Sequence, residues 1–185
     1  MKRITFLFIL LIGSSSFGQQ VFKKKKSLLG SPFEISVVAN DSVQADFYTE
    51  LAISELKRIE NLISDWIPTT QISLVNQNAG ITPVKVDKEV FELVDRAMKI
   101  SKLTDGAFDI SYASMDKIWK FDGSMKSMPT AETIKKSVEK VGYQNIILNE
   151  KDTTIFLKNQ GMKLGLGGIG QGYIADKIKE VLIAN

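Results

Sequence analysis

Residues 163–178 read KLGLGGIGQGYIADKI, with five glycines inside positions 165–172 and an apolar, helix-like pattern directly after them. Gly165, Gly167 and Gly170 spell G-x-G-x-x-G, the spacing of a dinucleotide-binding turn. That reading requires a βαβ unit around the turn and an acidic residue about 20 positions on to hold a ribose. Here 15 residues follow Gly170, and they read as a helix with no strand after it. The expectation is that this is not a Rossmann unit. Two readings stay open: a tight strand-to-helix corner that needs close packing, or a helix N-terminus whose bare N–H groups face a phosphate.

The rest of the chain supplies the elements around that corner. "SPFEISVVA" (31–39) alternates Phe33, Ile35 and Val37 on one face, as a half-buried strand does. Asp41 or Ser42 caps a helix whose apolar residues (Ala45, Leu51, Ala52, Leu56, Ile59, Leu62, Ile63) run to Ser64. "SDWIPTTQISLVNQNAG" reads as a loop with a short turn inside it. Asp87 opens a second helix, with Val90, Leu93, Val94, Ala97 and Ile100 on its apolar stripe and its close at Gly106. Residues 108–123 are aromatic-rich and fit strand or irregular structure equally. Thr130 caps a short helix stopped by Gly142, and residues 143–166 read as two or three short strands. The last helix carries Ile174, Ile178, Val181 and Leu182 on its apolar side. This order predicts an α+β fold, with a mixed or antiparallel sheet flanked by helices.

The N-terminus has a different logic. Lys2 and Arg3 precede an apolar run from Ile4 to Ile12, and small residues lead to a cleavage point near Gly18. That is the layout of a secretory signal peptide over 1–18, and the run is too short for a permanent membrane span. Residues 19–27 then read as a basic linker carrying Lys23–Lys26, and 28–185 as the domain. The expectation is an exported, periplasmic or extracytoplasmic protein. Without Lys2 and Arg3 the 24 basic residues fall to 22, against 21 acidic ones. No broad basic footprint remains, and a nucleic-acid partner is excluded.

The sequence has no cysteine and no histidine. Thiol catalysis, imidazole bases and soft metal sites are therefore out of reach for these residues. Carboxylates, hydroxyls, lysines and backbone groups remain, and the oxygens among them suit hard cations such as Mg²⁺.

Four stretches, in order, resemble the ApbE family of flavin transferases (FAD:protein FMN transferases). They are "LLGSPFEISV", "IENLISDWIPTTQISLVNQNAG", "SKLTDGAFDIS" with "IWKFDG" after it, and "LGLGGIGQGY". The resemblance covers residues 28–182 and implies a T-fold-like α+β domain. It also implies an exported enzyme that cleaves FAD at its pyrophosphate with Mg²⁺, moves FMN onto a Ser or Thr hydroxyl of an exported or membrane-bound acceptor protein, and releases AMP. Such chemistry works by positioning and charge neutralisation rather than by a protein nucleophile.

The resemblance also assigns roles to residues. Leu29 stands where the family packs a side chain on FAD, and Trp66 at an aromatic position suited to stacking on flavin or adenine. Thr104, Asp105 and Gly106 match a loop that touches FAD, and Asp109 matches a family carboxylate. Gly168 matches the position whose carbonyl reaches the Mg²⁺. Two positions depart: Gly165 replaces an Asp, and Gln171 replaces a Lys or Glu that contacts FAD. The family domain extends further, into a histidine motif and the Asp and Thr of the metal site, so the expectation is an N-terminal portion truncated at its C-terminus. A non-catalytic flavin- or nucleotide-binding module is the alternative. A structural domain with Trp66, Trp119 and Phe121 in its core is a third.

Overall fold

A computed structural model describes residues 19–28 and 31–185. The expected signal peptide and Leu29 lie outside the described residues. The chain divides into two compact units, one ending at Glu50 and one running Leu51–Asn185. The fold is α+β, and every recorded strand pair is antiparallel.

In the first unit, β1 (Gln20–Leu28) pairs along its length with β2 (Ser31–Ala39). The stretch expected as a basic linker is thus a strand. Lys23 and Lys25 face solvent on one side of the ribbon, and Lys23 bonds Glu34 at 2.8 Å. Alternation was masked there because four lysines fill both faces, and long lysine stems serve a strand as well as a linker. Helix α1 (Ser42–Ile63) starts where the capping residue predicts, with the Gln44 N–H donating to Asp41 Oδ1 at 2.8 Å. The Gln44 side chain accepts from the Asn40 N–H in return at 2.9 Å, which closes a capping-box-like pair.

In the second unit, the remainder of α1 buries Ala52, Ile53, Leu56, Ile59 and Ile63. Helix α2 (Gln71–Gln77) occupies the segment read as a loop. It is too short to show a period, but Thr70 caps it by accepting from the Ser73 N–H at 3.1 Å, and Ile72 and Val75 are buried. Strand β3 (Val84–Lys85) leads into α3 (Lys88–Leu103), which buries Val90, Phe91, Leu93, Val94 and Ala97. Asp87 precedes α3 without a side-chain cap bond, because its carboxylate accepts from Gln71 Nε2 at 2.7 Å instead.

A 3-10 segment (Ile110–Ser114) resolves part of the ambiguous aromatic stretch. Helix α4 (Ala131–Ser137) has the expected Thr130 cap but ends well before Gly142. Strands β4 (Ile146–Asn149) and β5 (Thr154–Leu157) complete a sheet ordered β3-β5-β4. Ile155 and Leu157 on β5 are essentially unexposed, as are Met162 and Leu164 just after it. Helix α5 (Gly167–Ala184) begins inside the glycine run rather than after it. Of its expected apolar side only Ile174 is buried; Ile178, Val181 and Leu182 are half-buried.

Candidate functional site

The site is built around the start of α5. The segment ahead of the helix is held on two sides by side chains that imitate a neighbouring strand. Asn76 on α2 donates from Nδ2 to the Leu164 carbonyl at 3.0 Å and accepts the Leu164 N–H on Oδ1 at 2.7 Å. Ser114 Oγ donates to the Lys163 carbonyl at 3.0 Å and accepts the Lys163 N–H at 2.7 Å. The Gly165 N–H then reaches the Ile110 carbonyl at 2.8 Å. Composition and periodicity do not single out Asn76 or Ser114, since each acts only through the backbone it meets in the folded chain.

The two open readings of the glycines divide by residue. Gly165 and Gly170 are buried. A Cβ at Gly165 would lie 3.0 Å from Ala113 Cβ and 3.1 Å from Tyr112 Oη, so only hydrogen fits without movement there. Gly170 similarly faces Ile63 Cδ1 at 3.1 Å. These two serve the tight corner. Gly167 and Gly168 are exposed, and the N-cap residue Leu166 offers no side-chain cap bond. Their N–H groups belong to the first turn, where a helix leaves donors without internal partners and carries its partial positive charge.

The loop Thr104–Gly106 reaches the same place through Phe108. Thr104 Oγ1 accepts the Phe108 N–H at 3.1 Å, and a Cβ on Gly168 would meet Phe108 Cε2 at 3.2 Å. The loop itself ends α3, with the Gly106 N–H on the Ser101 carbonyl at 2.8 Å. Gly106 takes φ 81°, and Asp105 takes φ 51°, a left-handed conformation uncommon outside glycine. Asp105 is exposed. Asp109 is structural: its carboxylate accepts from the Ser111 N–H and Oγ at 2.7 Å each and from the Tyr143 N–H at 2.8 Å. Those bonds tie the 3-10 segment to the turn at Tyr143–Asn145 ahead of β4 and occupy both oxygens.

Trp66 lies in the loop that follows α1. It is 78% exposed, and Phe121 is 94% exposed, so the reading of both as core residues is overturned. Trp119 is half-buried. Lys117 Nζ stands 4.9 Å from the Trp66 ring centroid. Gln171, one turn into α5, is exposed.

A separate cleft of about 350 Å³ lies between α3 and α5, and none of these residues lines it. Two of its lining residues, Glu89 and Tyr173, belong to a charged network. Arg58 forms paired bonds to Glu89 at 2.6 and 2.9 Å and to Glu55 at 2.8 Å, and the Tyr173 hydroxyl donates to Glu89 at 2.7 Å. The Arg58 bonds, and then the Tyr173 bond, hold the Glu89 carboxyl below its ordinary range against the opposing effect of burial. Burial, reinforced by Glu89, pushes the Tyr173 hydroxyl up. The protonated phenol and a guanidinium bonded to two carboxylates make a structural clasp across three helices.

Among the described residues, no group of three or more His, Cys, Asp or Glu could hold a metal ion. The Gly168 carbonyl alone cannot replace the several oxygens a hard cation needs. The residues described here therefore do not fit a complete Mg²⁺ site.

The model of the ApbE family matches residues 29–185. The chain belongs to the ApbE family. It is 31% identical over 163 residues to an FAD:protein FMN transferase of Klebsiella pneumoniae, covering 88% of this chain and 50% of that protein. An FAD:protein FMN transferase of Treponema pallidum is 24% identical over 193 residues, covering 99% of this chain and 53% of the relative. Among solved structures, an ApbE protein of Thermotoga maritima superposes with a TM-score of 0.76 at 26% identity, over 89% of this chain and 53% of its own. The flavin transferase ApbE of Vibrio cholerae, at 17% identity and a TM-score of 0.75, shares the fold. This ApbE chain spans about half the length of the relatives it matches.

Proposed function

We propose that this chain carries the FAD-binding portion of an FAD:protein FMN transferase. The observation that carries the reading is the start of α5, where exposed Gly167 and Gly168 present an uncapped helix N-terminus. An oxyanion of the FAD pyrophosphate accepts hydrogen bonds there, where the helix charge favours an anion. Gly165 and Gly170 permit it by letting Tyr112 and Ile63 pack against bare backbone and fix the corner. Trp66 offers an exposed ring for stacking, and the Thr104–Gly106 loop borders the same corner through Phe108.

In the reaction proposed, a Ser or Thr hydroxyl of an acceptor protein forms the new O–P bond to the FMN phosphorus. The pyrophosphate P–O bond breaks, AMP leaves with that oxygen, and the hydroxyl proton passes to solvent. The contribution of the described residues is to orient the pyrophosphate and offset its charge. Mg²⁺ would neutralise phosphate charge in such a transfer, with the Gly168 carbonyl as one oxygen. The described residues do not assemble the rest of that site, and no step is assigned to it. Export by the N-terminal segment would place the chain with an exported or membrane-bound acceptor.

The test combines the purified chain, FAD, Mg²⁺ and a Ser/Thr acceptor peptide, and measures AMP by chromatography and flavin on the peptide by mass. AMP and a flavin-bearing peptide together support the transferase. A second reading is a flavin-binding module without turnover. FAD binding without AMP release would select it.

A further inference from the structure

The placement of Lys117 suggests more than a surface charge. Its ammonium lies over the Trp66 indole, 4.9 Å from the centroid, although the two residues come from separate loops. Both loops have anchored backbones. The Trp66 N–H donates to Ser64 Oγ at 3.3 Å, and the Ser64 carbonyl accepts from the Ser73 hydroxyl at 3.3 Å. Next to Lys117, the Asp116 N–H donates to the Ser137 carbonyl at 3.1 Å, and the Ile118 N–H to the Asp116 carbonyl at 2.8 Å. Fixed backbones therefore carry one rigid ring and one flexible cationic stem to the same point. Among the described residues Lys117 has no carboxylate partner, so the indole is its recorded contact.

An indole exposed at 78% can still accept a planar ring. An exposed cation–π contact is weak enough to exchange, whereas an ammonium paired with phosphate gains a charge-assisted bond. Building on the flavin-nucleotide reading above, we propose that Trp66 and Lys117 form one recognition element for a planar ring that carries phosphate. Lys117 caps the indole in the free chain, then yields the ring face to the ligand and pairs with its phosphate. This supplies a cation that Gln171, an uncharged side chain, does not.

FMN and riboflavin share one ring and differ by the phosphate, so they separate the two contributions. The full chain is titrated into each, following flavin fluorescence, which stacking on an indole quenches. The wild-type chain should bind FMN roughly tenfold tighter than riboflavin at low salt, and the advantage should shrink as salt rises. Lys117→Met should cut the FMN-to-riboflavin ratio several-fold, leaving the share that the first turn of α5 supplies, and Lys117→Arg should retain the preference. Trp66→Ala should weaken both ligands together. Both residues are exposed, and thermal melts matching wild type confirm that the variants are folded. If Lys117→Met keeps the wild-type ratio, the Lys117 role is overturned and the flavin reading stands; if wild type binds the two flavins equally, the Lys117 role and the phosphate role of α5 fall together. If the wild-type chain binds neither FMN, riboflavin nor FAD, the flavin reading itself fails and takes this one with it.

Discussion

Asn76→Ala removes the side chain that stands in for a strand beside the glycine corner. In the wild-type chain its amide makes two bonds to Leu164, at 3.0 and 2.7 Å, and Leu164 has no exposed surface. Alanine would strand the Leu164 N–H and C=O in a place that water reaches poorly. A buried backbone group left without a partner costs about 1–3 kcal/mol. Asn76 is only half-buried, so some water relaxes into the gap. Taking the lower half of that range for each of the two groups gives a loss of about 2–4 kcal/mol. For a domain of this size that is a fall in Tm of roughly 4–16 °C. Urea unfolding followed by circular dichroism measures the loss, and hydrogen exchange at the Leu164 amide locates it. Asn76→Asp is the paired control: it keeps an acceptor for the N–H but sets a carboxylate oxygen against the carbonyl, so it should fare no better than alanine. A loss within about 0.5 kcal/mol for Asn76→Ala, with Leu164 still protected, would refute the argument that Asn76 holds this segment.

Gly80→Ala should also destabilise, because Gly80 takes φ 74° and an added Cβ would lie 2.7 Å from the Gln160 nitrogen. Left-handed strain and that backbone clash together predict a loss of about 2 kcal/mol or more by urea unfolding. Arg58 holds the Glu89 carboxyl below its ordinary value of 4.5, so the folded chain binds fewer protons than the unfolded chain in the acid range. That contribution is complete above the ordinary value and is lost as pH falls through the depressed one. Glu89→Gln should therefore flatten the acid side of a urea-midpoint profile measured from neutral to about pH 3. Trp66→Ala should change stability by less than about 0.5 kcal/mol, since the ring is exposed, while reducing the quenching of added FAD.

Much of the fold is legible where a periodic pattern is long. Helices α1 and α3 show their apolar stripes in the sequence, and β2 shows its alternation, because each lays one face on a core. Helix α2 does not, since seven residues give too few turns for a period and its cap and burial depend on tertiary contacts. Strand β1 hides behind its lysines. The glycine run is visible as a feature, yet sequence alone cannot divide its labour. Only the neighbours Tyr112, Ala113 and Ile63 separate the packing glycines, Gly165 and Gly170, from the exposed pair, Gly167 and Gly168. Trp66 shows the same limit: an indole after an amphipathic helix fits core and surface equally until its loop is placed. Asp109 carries the motif resemblance but spends its oxygens on Ser111 and Tyr143.

The central claim is that the first turn of α5 receives the phosphates of FAD. Amide NMR of the ¹⁵N-labelled chain tests it most directly, because glycine amides resonate apart from most others. Adding FAD should shift the amides of Gly167 and Gly168 and the indole N–H of Trp66, in step with one another. Shifts confined to the cleft of Glu89, Arg96 and Tyr173, or no shifts at saturating FAD, would contradict it.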